Sequence, residues 1–159
     1  MENVEKKRIF VGISRKFNHV IADLGTKVLF GTDSGTQVLS FATKLTVDVS
    51  GSTGGGSSWG VSYDFERGHV YWTRSRRNGS AVRHTIYRSN MNGTGSSEVV
   101  EIGGKNDSVG IAFDWITGNI YYANGIHVGV CDYDGLNCAV LVDEPEDPPF
   151  SIALFPKLG

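Results

Sequence analysis

Long hydrophobic runs are absent from this sequence of 159 residues. No segment approaches the roughly 18 apolar residues that a membrane-spanning helix needs, so we expect no direct membrane insertion by this segment. The apolar stretch Ile9–Ile13 is also far too short for the core of a signal peptide. From this feature alone, we expect the chain to stay in the compartment where it is made.

Charge of one sign is equally scarce, because 15 Lys and Arg stand against 17 Asp and Glu and leave a formal net charge of −2. Such a balance provides no general field for attracting nucleic acid or an anionic membrane surface. We therefore predict that neither is a partner.

Familiar catalytic motifs are missing as well. The sequence has no Gly-X-Ser-X-Gly elbow and no His-Glu-X-X-His pair, and its Gly-rich segment "GSTGGGSS" lacks the Lys of a phosphate-binding loop. We predict no enzymatic activity and no cofactor.

Glycine and aromatic residues are, in contrast, plentiful. The chain has 21 Gly, 6 Tyr, 8 Phe and 3 Trp, with 40% hydrophobic and 20% charged residues overall. These proportions suit one ordinary core built from strands and tight turns. The predicted fold class is all-β.

An internal repeat is the strongest signal in the chain. Residues 60–73 read "GVSYDFERGHVYWT", and residues 110–123 read "GIAFDWITGNIYYA". Apolar residues alternate with period 2 in both, and Gly68 and Gly118 stand where a turn needs a positive φ. Each copy is therefore predicted to be a β-hairpin.

A second pair of strands is predicted after each hairpin. Residues 85–102 and 127–143 each contain an apolar strand, an Asn-Gly or Asp-Gly turn and a Val-rich strand. A third unit begins in 151–159, where Ile152 aligns with Ile111. Four antiparallel strands recurring at this spacing are typical of a β-propeller, in which each sheet is a blade stacked on its neighbours.

The predicted architecture is a partial propeller of about three to three and a half blades. Its segments are a weakly defined outer blade in 1–59, blades in 60–102 and 109–143, and the first strand of another blade in 151–159. Within 1–59, we assign residues 8–14, 17–23 and 26–30 to strands 2, 3 and 4 of the outer blade, and place Leu45, Val47 and Val49 in a further strand.

The segments "YDFERGHVYWT" and "FDWITGNIYYAN" resemble the class B, or tyrosine–tryptophan–threonine–aspartate (YWTD), repeats of the low-density-lipoprotein receptor family. The resemblance is good from about residue 60 onward and weak before it. It implies a six-bladed propeller in the extracellular part of an endocytic or signalling receptor, where it binds or releases a protein or lipoprotein ligand beside other modules. The signature residues are Asp64, Tyr71, Trp72, Thr73, Asp114, Trp115, Tyr121 and Tyr122.

The sequence departs from this signature at its final Asp, which is Arg74 in one copy and Asn124 in the other. The Asp of the first strand becomes Phe155 in the third unit. In the family, the signature Asp ties blades together by hydrogen bonds. The loss of this Asp therefore puts the fixation of blade to blade in question for this chain.

Six blades of about 40 to 45 residues require roughly 250 residues, more than this chain contains. We expect a piece of a larger receptor, with pairing to a second copy or a poorly folded product as alternatives. A structural propeller of an extracellular matrix protein is the alternative function. A propeller hydrolase that uses Asp64, Asp114 and Glu66 is less favoured, because the two Asp follow the repeat.

The loops between strands 2 and 3 and the connectors between blades share one rim, where we place the candidate ligand-binding residues. These are Trp59, Arg74, Arg76, Arg77 and Asn124. A basic insert is more often simply solvated, and Trp72 and Trp115 are more often core residues than ligand contacts. The four His are scattered singly, which favours surface positions over a pH sensor.

Two features favour the secretory or endosomal lumen, or the outside of the plasma membrane. Asn78, Asn92 and Asn106 each begin an Asn-X-Ser/Thr triplet in a Gly-rich context, although turn residues also supply such triplets by chance. If Asp134-Gly135 is a two-residue hairpin turn, Cys131 and Cys138 stand opposite each other within reach of a disulfide. A longer loop would leave two unrelated thiols.

Overall fold

The regular secondary structure in the described part of the chain consists of antiparallel strands. The computed structural model describes residues 17–23, 27–50, 57–79, 81–103, 109–144 and 146–155, and these ranges contain no helix. The predicted all-β class is therefore confirmed. The twelve strands are β1 (Phe17–Asp23), β2 (Lys27–Thr32), β3 (Gly35–Ser40), β4 (Thr46–Asp48), β5 (Ser58–Asp64), β6 (His69–Asn78), β7 (Ala81–Asn90), β8 (Ser97–Glu101), β9 (Gly110–Asp114), β10 (Asn119–Ala123), β11 (His127–Asp132) and β12 (Cys138–Asp143).

Three four-stranded sheets follow one another along the chain, and in each sheet the spatial order of the strands is their sequence order. We call them blade 1 (β1–β4), blade 2 (β5–β8) and blade 3 (β9–β12). The two repeat copies occupy the same register, since Val61 pairs with Trp72 and Ile111 pairs with Tyr122. In both, the N–H of the turn glycine donates to the carbonyl of the repeat Asp, at 2.9 Å for Gly68 and 2.8 Å for Gly118.

Blade 2 buries apolar side chains on both of its faces because strand residues alternate between them. Trp72 lies in one cluster with Leu29 and Val38 of blade 1, while its neighbour Tyr71 lies in a second cluster with Phe113 and Ile120 of blade 3. Each cluster is the interface between two successive sheets. The sheets therefore stack as the blades of a partial propeller, which is not closed.

The innermost strands of neighbouring blades approach each other closely at glycine. A Cβ on Gly60 would lie 2.5 Å from the Val109 carbonyl oxygen, and a Cβ on Gly110 would lie 2.7 Å from the Ser151 Cα. Residues near 151 thus stand beside blade 3 as residues near 109 stand beside blade 2. Residues 151–155 are not in a strand, and residues 156–159 lie outside the described ranges, so the strand expected in 151–159 stays a prediction.

Blade 1 differs from the strand order expected for residues 1–59. The segment 17–23 is its first strand rather than its third, and β2 is its second strand rather than its fourth. The reason is a tight turn at Asp33 and Ser34, which pairs Thr32 with Gly35 and creates β3, a strand that the sequence analysis missed. The predicted strand at 8–14 lies outside the described residues.

No helix within the described ranges is long and apolar enough to cross a membrane.

Candidate functional site

The β6–β7 hairpin is the most distinctive feature of the rim where strands 2 and 3 of each blade meet. Both strands have ten residues, and they remain paired from His69↔Asn90 to Asn78↔Ala81. Their sheet neighbours end earlier, since β5 last pairs at Arg74 and β8 last pairs at Thr85. Ser75 and His84 still form backbone hydrogen bonds with Ser57 and Ile102, so residues 76–83 form a two-stranded projection, here called the arm.

Positive charge is concentrated on the arm. Arg76 and Arg83 are exposed and stand directly opposite each other across the hairpin. Like charges in such a pair destabilise a hairpin. An exposed ion pair of 3.2 Å joins the Arg83 Nη1 to the Glu101 Oε2 at the base of the arm. Two exposed guanidinium groups on one projection suit contact with an acidic surface.

Two further candidate ligand residues lie at the base of the arm rather than on its surface. Arg74 is only 3% exposed, with its guanidinium carbon 5.9 Å from the centre of the Tyr87 ring. Burial lowers the pKa of Arg74, and the positive charge of Arg76 lowers it further. Trp59 is half-buried, and its indole nitrogen is shielded from solvent. Arg77, on the arm itself, pairs through its backbone with Val82. The structure does not describe the Arg77 side chain.

Asn124 is fully buried and connects blade 3 to blade 2. Its Nδ2 donates to the Ile102 carbonyl at 2.9 Å, while its Oδ1 accepts from the backbone N–H of Ile126 and His127. Asn124 stands where the family signature has Asp. A hydrogen bond between blades is therefore present at this position although the Asp is absent, and the same amide caps the β10–β11 turn.

Thr73 makes a second connection between blades. Its buried hydroxyl donates to the Val109 carbonyl of the blade 2–blade 3 connector at 2.9 Å and accepts from the Gly60 N–H at 2.8 Å. Ser62 adds another bond, since its hydroxyl accepts from the Phe113 N–H at 2.9 Å.

The repeat carboxylates Asp64 and Asp114 cap the turns between strands 1 and 2. Asp64 is buried, accepts from the N–H groups of Glu66 and Arg67, and forms a 3.1 Å ion pair with the Arg67 guanidinium. Asp114 accepts from the Thr117 hydroxyl and the Ile116 N–H, and the Thr117 hydrogen bond chiefly holds the Asp114 pKa below its usual value. Both groups thus have structural partners, and within the described ranges no group of acidic, His or Cys residues is arranged to hold a metal ion.

The signature aromatic residues have different environments. Trp72 is buried and stacks on Tyr87 with 5.8 Å between ring centroids, and buried Tyr71 stacks on Phe113 at 5.0 Å. Tyr122 is buried as well, whereas Tyr121 is half-buried. Trp115 is 40% exposed in the β9–β10 turn, so its expected place in a core is wrong. The turn residues 115–118 lie beyond the strand pairing, which explains the difference.

A cluster on the opposite rim was missed by the sequence analysis. The guanidinium carbons of Arg67 and Arg88 lie 4.9 and 5.5 Å from the centre of the Tyr133 ring, and the Arg88 Nη1 lies 3.2 Å from the Asp134 Oδ1. These contacts join blade 2 to the β11–β12 turn of blade 3. The hydrogen bond from Arg88 to the Tyr133 carbonyl joins residues that are 45 positions apart in the sequence. Local sequence patterns therefore give no sign of these contacts.

The predicted disulfide is present between Cys131 and Cys138, which pair directly across β11 and β12 with Cα atoms 4.1 Å apart. The turn is longer than the two-residue form we considered. The Asp132 N–H donates to the Asn137 carbonyl, so residues 133–136 form the loop. A four-residue loop centred on Asp134-Gly135 keeps the same register, which is why the cysteines still meet.

The three sequons differ in what the structure describes. Asn92 is exposed in the β7–β8 turn. Asn78 ends β6, but its side chain is not described, and Asn106 lies outside the described residues.

Sequence comparison finds similarity to known receptors. The chain is 36% identical over 95 residues to the vitellogenin receptor of Solenopsis invicta. The aligned region covers 57% of this chain and 5% of that receptor. It is 38% identical over 103 residues to the vitellogenin receptor Yl of Drosophila melanogaster, covering 63% of this chain and 5% of the receptor. It is also 30% identical over 94 residues to the human low-density lipoprotein receptor-related protein 5-like protein, covering 58% of this chain and 34% of that protein.

The matched region thus spans about 5% of the length of the two vitellogenin receptors. No protein-family model matches the chain. The three relatives are receptors or related to receptors, and they support the resemblance to the low-density-lipoprotein receptor family.

Proposed function

We propose that this chain is a non-catalytic module that binds and releases ligand in an endocytic or signalling receptor of the low-density-lipoprotein receptor type. Its repeats are then YWTD repeats, and it faces the extracellular space or the endosomal lumen within a longer protein. The similarity to two vitellogenin receptors and the stacked blades support this assignment.

One observation carries the proposal, namely that polar residues within the blades serve the scaffold, whereas exposed cationic residues lie on the arm. The repeated carboxylates Asp64 and Asp114 cap turns, and the buried side chains of Thr73 and Asn124 connect blades. The polar groups of these four residues therefore already have hydrogen-bond partners within the blades. The arm breaks the repeat, projects from the rim and carries exposed cationic residues.

The ligand contacts we propose are therefore Arg76 and Arg77 on the arm, with Trp59 beside its base. We leave Arg74 and Asn124 out of this surface, because both are buried in the scaffold. A cationic projection favours a protein or lipoprotein with an acidic surface. Electrostatic attraction of that kind raises association rates and weakens with added salt.

The test measures the affinity of the secreted full chain for vitellogenin, the ligand that two relatives carry in their names. The variant replaces Arg76 and Arg77 with Gln, and the control replaces Lys44, an exposed cation on blade 1, in the same way. We expect about tenfold weaker binding for the arm variant, equivalent to about 1.4 kcal/mol, with little change for the control. Absent binding, or equal loss in both variants, would contradict the proposal.

A further inference from the structure

An open groove runs along the junction of blade 1 with the β7–β8 turn of blade 2. Its volume is about 560 Å³, and its lining includes Val38, Leu45, Val47, Met91, Asn92 and Lys27. Leu45 is 67% exposed and Val47 is 46% exposed. Neighbouring apolar side chains that remain in water favour a covering group.

The β7–β8 turn holds Asn92 at the edge of this groove. The Thr94 hydroxyl donates to the Asn92 Oδ1 at 2.7 Å, the Thr94 N–H donates to the same oxygen at 3.1 Å, and the Asn90 Nδ2 donates to the Thr94 hydroxyl at 3.0 Å. The amide oxygen of Asn92 is therefore occupied by the hydroxyl residue of its own Asn-Gly-Thr triplet. The Asn92 side chain itself is exposed.

The position of this turn against blade 1 is also fixed. Gly93 has φ of 81°, and a Cβ there would lie 2.7 Å from the Asp48 carbonyl oxygen. The Ser89 hydroxyl donates to the Val49 carbonyl at 2.8 Å. A group attached to Asn92 thus starts at a defined place beside Leu45 and Val47.

We infer that Asn92 is an N-glycosylation site and that the first sugar of its glycan lies over this groove. The Asn92 Nδ2 attacks the anomeric carbon of an isoprenoid-diphosphate-linked oligosaccharide. A C–N bond forms, the bond from that carbon to the diphosphate oxygen breaks, the diphosphate leaves, and the amide loses one proton. No oxidant or reductant is needed.

A glycan suits the groove because it matches both kinds of lining group. The C–H face of a pyranose ring is apolar and packs on Val47 and Leu45, while its hydroxyls reach Lys27 and Asn90 at the margin. The covalent bond to Asn92 keeps the sugar beside the groove without any separate binding affinity. The inference depends on the proposed function only in requiring entry into the secretory lumen.

The first experiment asks whether Asn92 is modified. The full chain is secreted from eukaryotic cells behind an added signal peptide, so that its entry into the lumen does not depend on the proposed function. Mass spectrometry before and after peptide-N-glycosidase treatment gives the occupancy of each sequon. Asn92→Gln and Thr94→Ala should each remove one glycan, whereas Thr94→Ser, which keeps the hydroxyl, should retain it. An unmodified Asn92 in the secreted folded chain would overturn the inference.

The second experiment asks what the first sugar covers. An endoglycosidase leaves one N-acetylglucosamine on Asn92, whereas peptide-N-glycosidase removes the whole glycan and converts the side-chain amide to a carboxylate. We expect fluorescence of a hydrophobic dye to rise only after complete removal. In a Leu45→Ser/Val47→Thr background, this rise should disappear. The same rise in both backgrounds, or none in either, would overturn the placement over the groove.

Ligand binding separates the two proposals. Asn92→Gln should bind vitellogenin as the unmodified sequence does, since the arm and the groove belong to different hairpins. Loss of binding in the arm variant, together with a normal glycan at Asn92, would support both proposals. An unmodified Asn92 together with normal binding would overturn the glycan proposal and leave the proposed function in place.

Discussion

The hydroxyl of Thr73 links blade 2 to the connector that leads into blade 3. It lies between the Gly60 N–H and the Val109 carbonyl, and the residue is fully buried. The third blade has Ala123 at the aligned position, and this residue is also buried. The Thr73 hydroxyl therefore supports the junction between blades 2 and 3, and blade 3 has no hydroxyl at the aligned position.

Replacing Thr73 with Val should destabilise the chain by about 1–3 kcal/mol, because a buried N–H and a buried carbonyl each lose a partner. Chemical denaturation followed by circular dichroism would measure the change. Thr117→Val is the matched control, since it removes an exposed hydroxyl hydrogen bond to Asp114. Equal losses in the two variants would contradict the role given to Thr73.

His69 gives the stability a dependence on pH. Its pKa is lowered, first by burial and then by the positive charges of Arg88 and Arg67, against the opposing charge of Asp64. A pKa that is lower in the folded state means that the unfolded chain binds the proton more tightly. The contribution of neutral His69 is therefore complete above the ordinary His pKa of about 6.5 and is lost as the pH falls through the folded-state value.

The His69→Asn variant should show a smaller loss of stability on acidification from about pH 7 to about pH 5 than the unmodified sequence. Asn is the residue at the aligned position 119 of blade 3, so the substitution suits the strand. Denaturation midpoints at several pH values would measure the difference. Parallel pH profiles for the two proteins would refute the assignment to His69.

At the scale of the element, the hairpin between strands 2 and 3 ends in two ways. In blade 1 the Thr32 hydroxyl accepts from the Ser34 N–H, and in blade 3 the Asn124 Oδ1 accepts from the Ile126 N–H, so a polar side chain closes a short turn. In blade 2 the corresponding residue is Arg74, and the strands continue as the arm. The departure from the signature thus coincides with a longer hairpin.

Shortening the arm should leave the blades intact. We expect replacement of residues 76–83 by an Asn-Gly turn to change the free energy of unfolding by less than about 1 kcal/mol, because the residues that the structure describes in the two apolar clusters all lie outside this segment. The Ser75–His84 hydrogen bond of 2.8 Å is retained. Urea denaturation would check this, and loss of the cooperative transition would show that the arm is part of the core.

The disulfide closes a short hairpin and should contribute about 2–3 kcal/mol, mainly by restricting the unfolded chain. Reduction, or the double substitution of Cys131 and Cys138 by Ala, should lower the unfolding midpoint by a corresponding amount. The residual transition should remain cooperative, because the β11–β12 pairing extends from His127↔Asp143 to the cysteines. An unchanged midpoint after verified reduction would contradict this estimate.

The sequence predicted those features that depend on residues close together in the chain. The hairpins around Gly68 and Gly118 and the pairing of Cys131 with Cys138 follow from alternation and turn residues, and the structure contains them. Contacts between blades could not be predicted in this way. Arg88 meets Tyr133, and Asn124 meets Ile102, only after the sheets have stacked.

The same reasoning explains the errors near the N-terminus and at Trp115. The turn at Asp33 and Ser34 lacks an Asn-Gly or Asp-Gly pair, so the β2–β3 hairpin carried no strong signal. Trp115 is apolar enough for a core, but its turn lies at the edge of the stack, where it is 40% exposed. In both cases the structure depended on where the residues lie in the stacked blades rather than on the local sequence.

At the scale of the whole molecule, blade 2 is shared by both apolar clusters through the adjacent residues Tyr71 and Trp72. Leu29→Ala in the first cluster and Ile120→Ala in the second should each cost about 2–5 kcal/mol, because each leaves a cavity beside blade 2. Since blade 2 is common to both, we expect the far-ultraviolet signal to be lost in a single transition in either variant. Two separate transitions would show that the interfaces unfold independently.

The arm has a consequence for how such a rim diversifies. Among the described residues, the two apolar clusters and the hydrogen bonds of Ser62, Thr73 and Ser89 to neighbouring blades lie outside 76–83. A change in the length or charge of that segment therefore leaves the registration of the sheets untouched. The recognition surface can therefore be replaced without changing the blades. Binding loops from other proteins can be grafted between Ser75 and His84, and the stacked sheets would hold them in place.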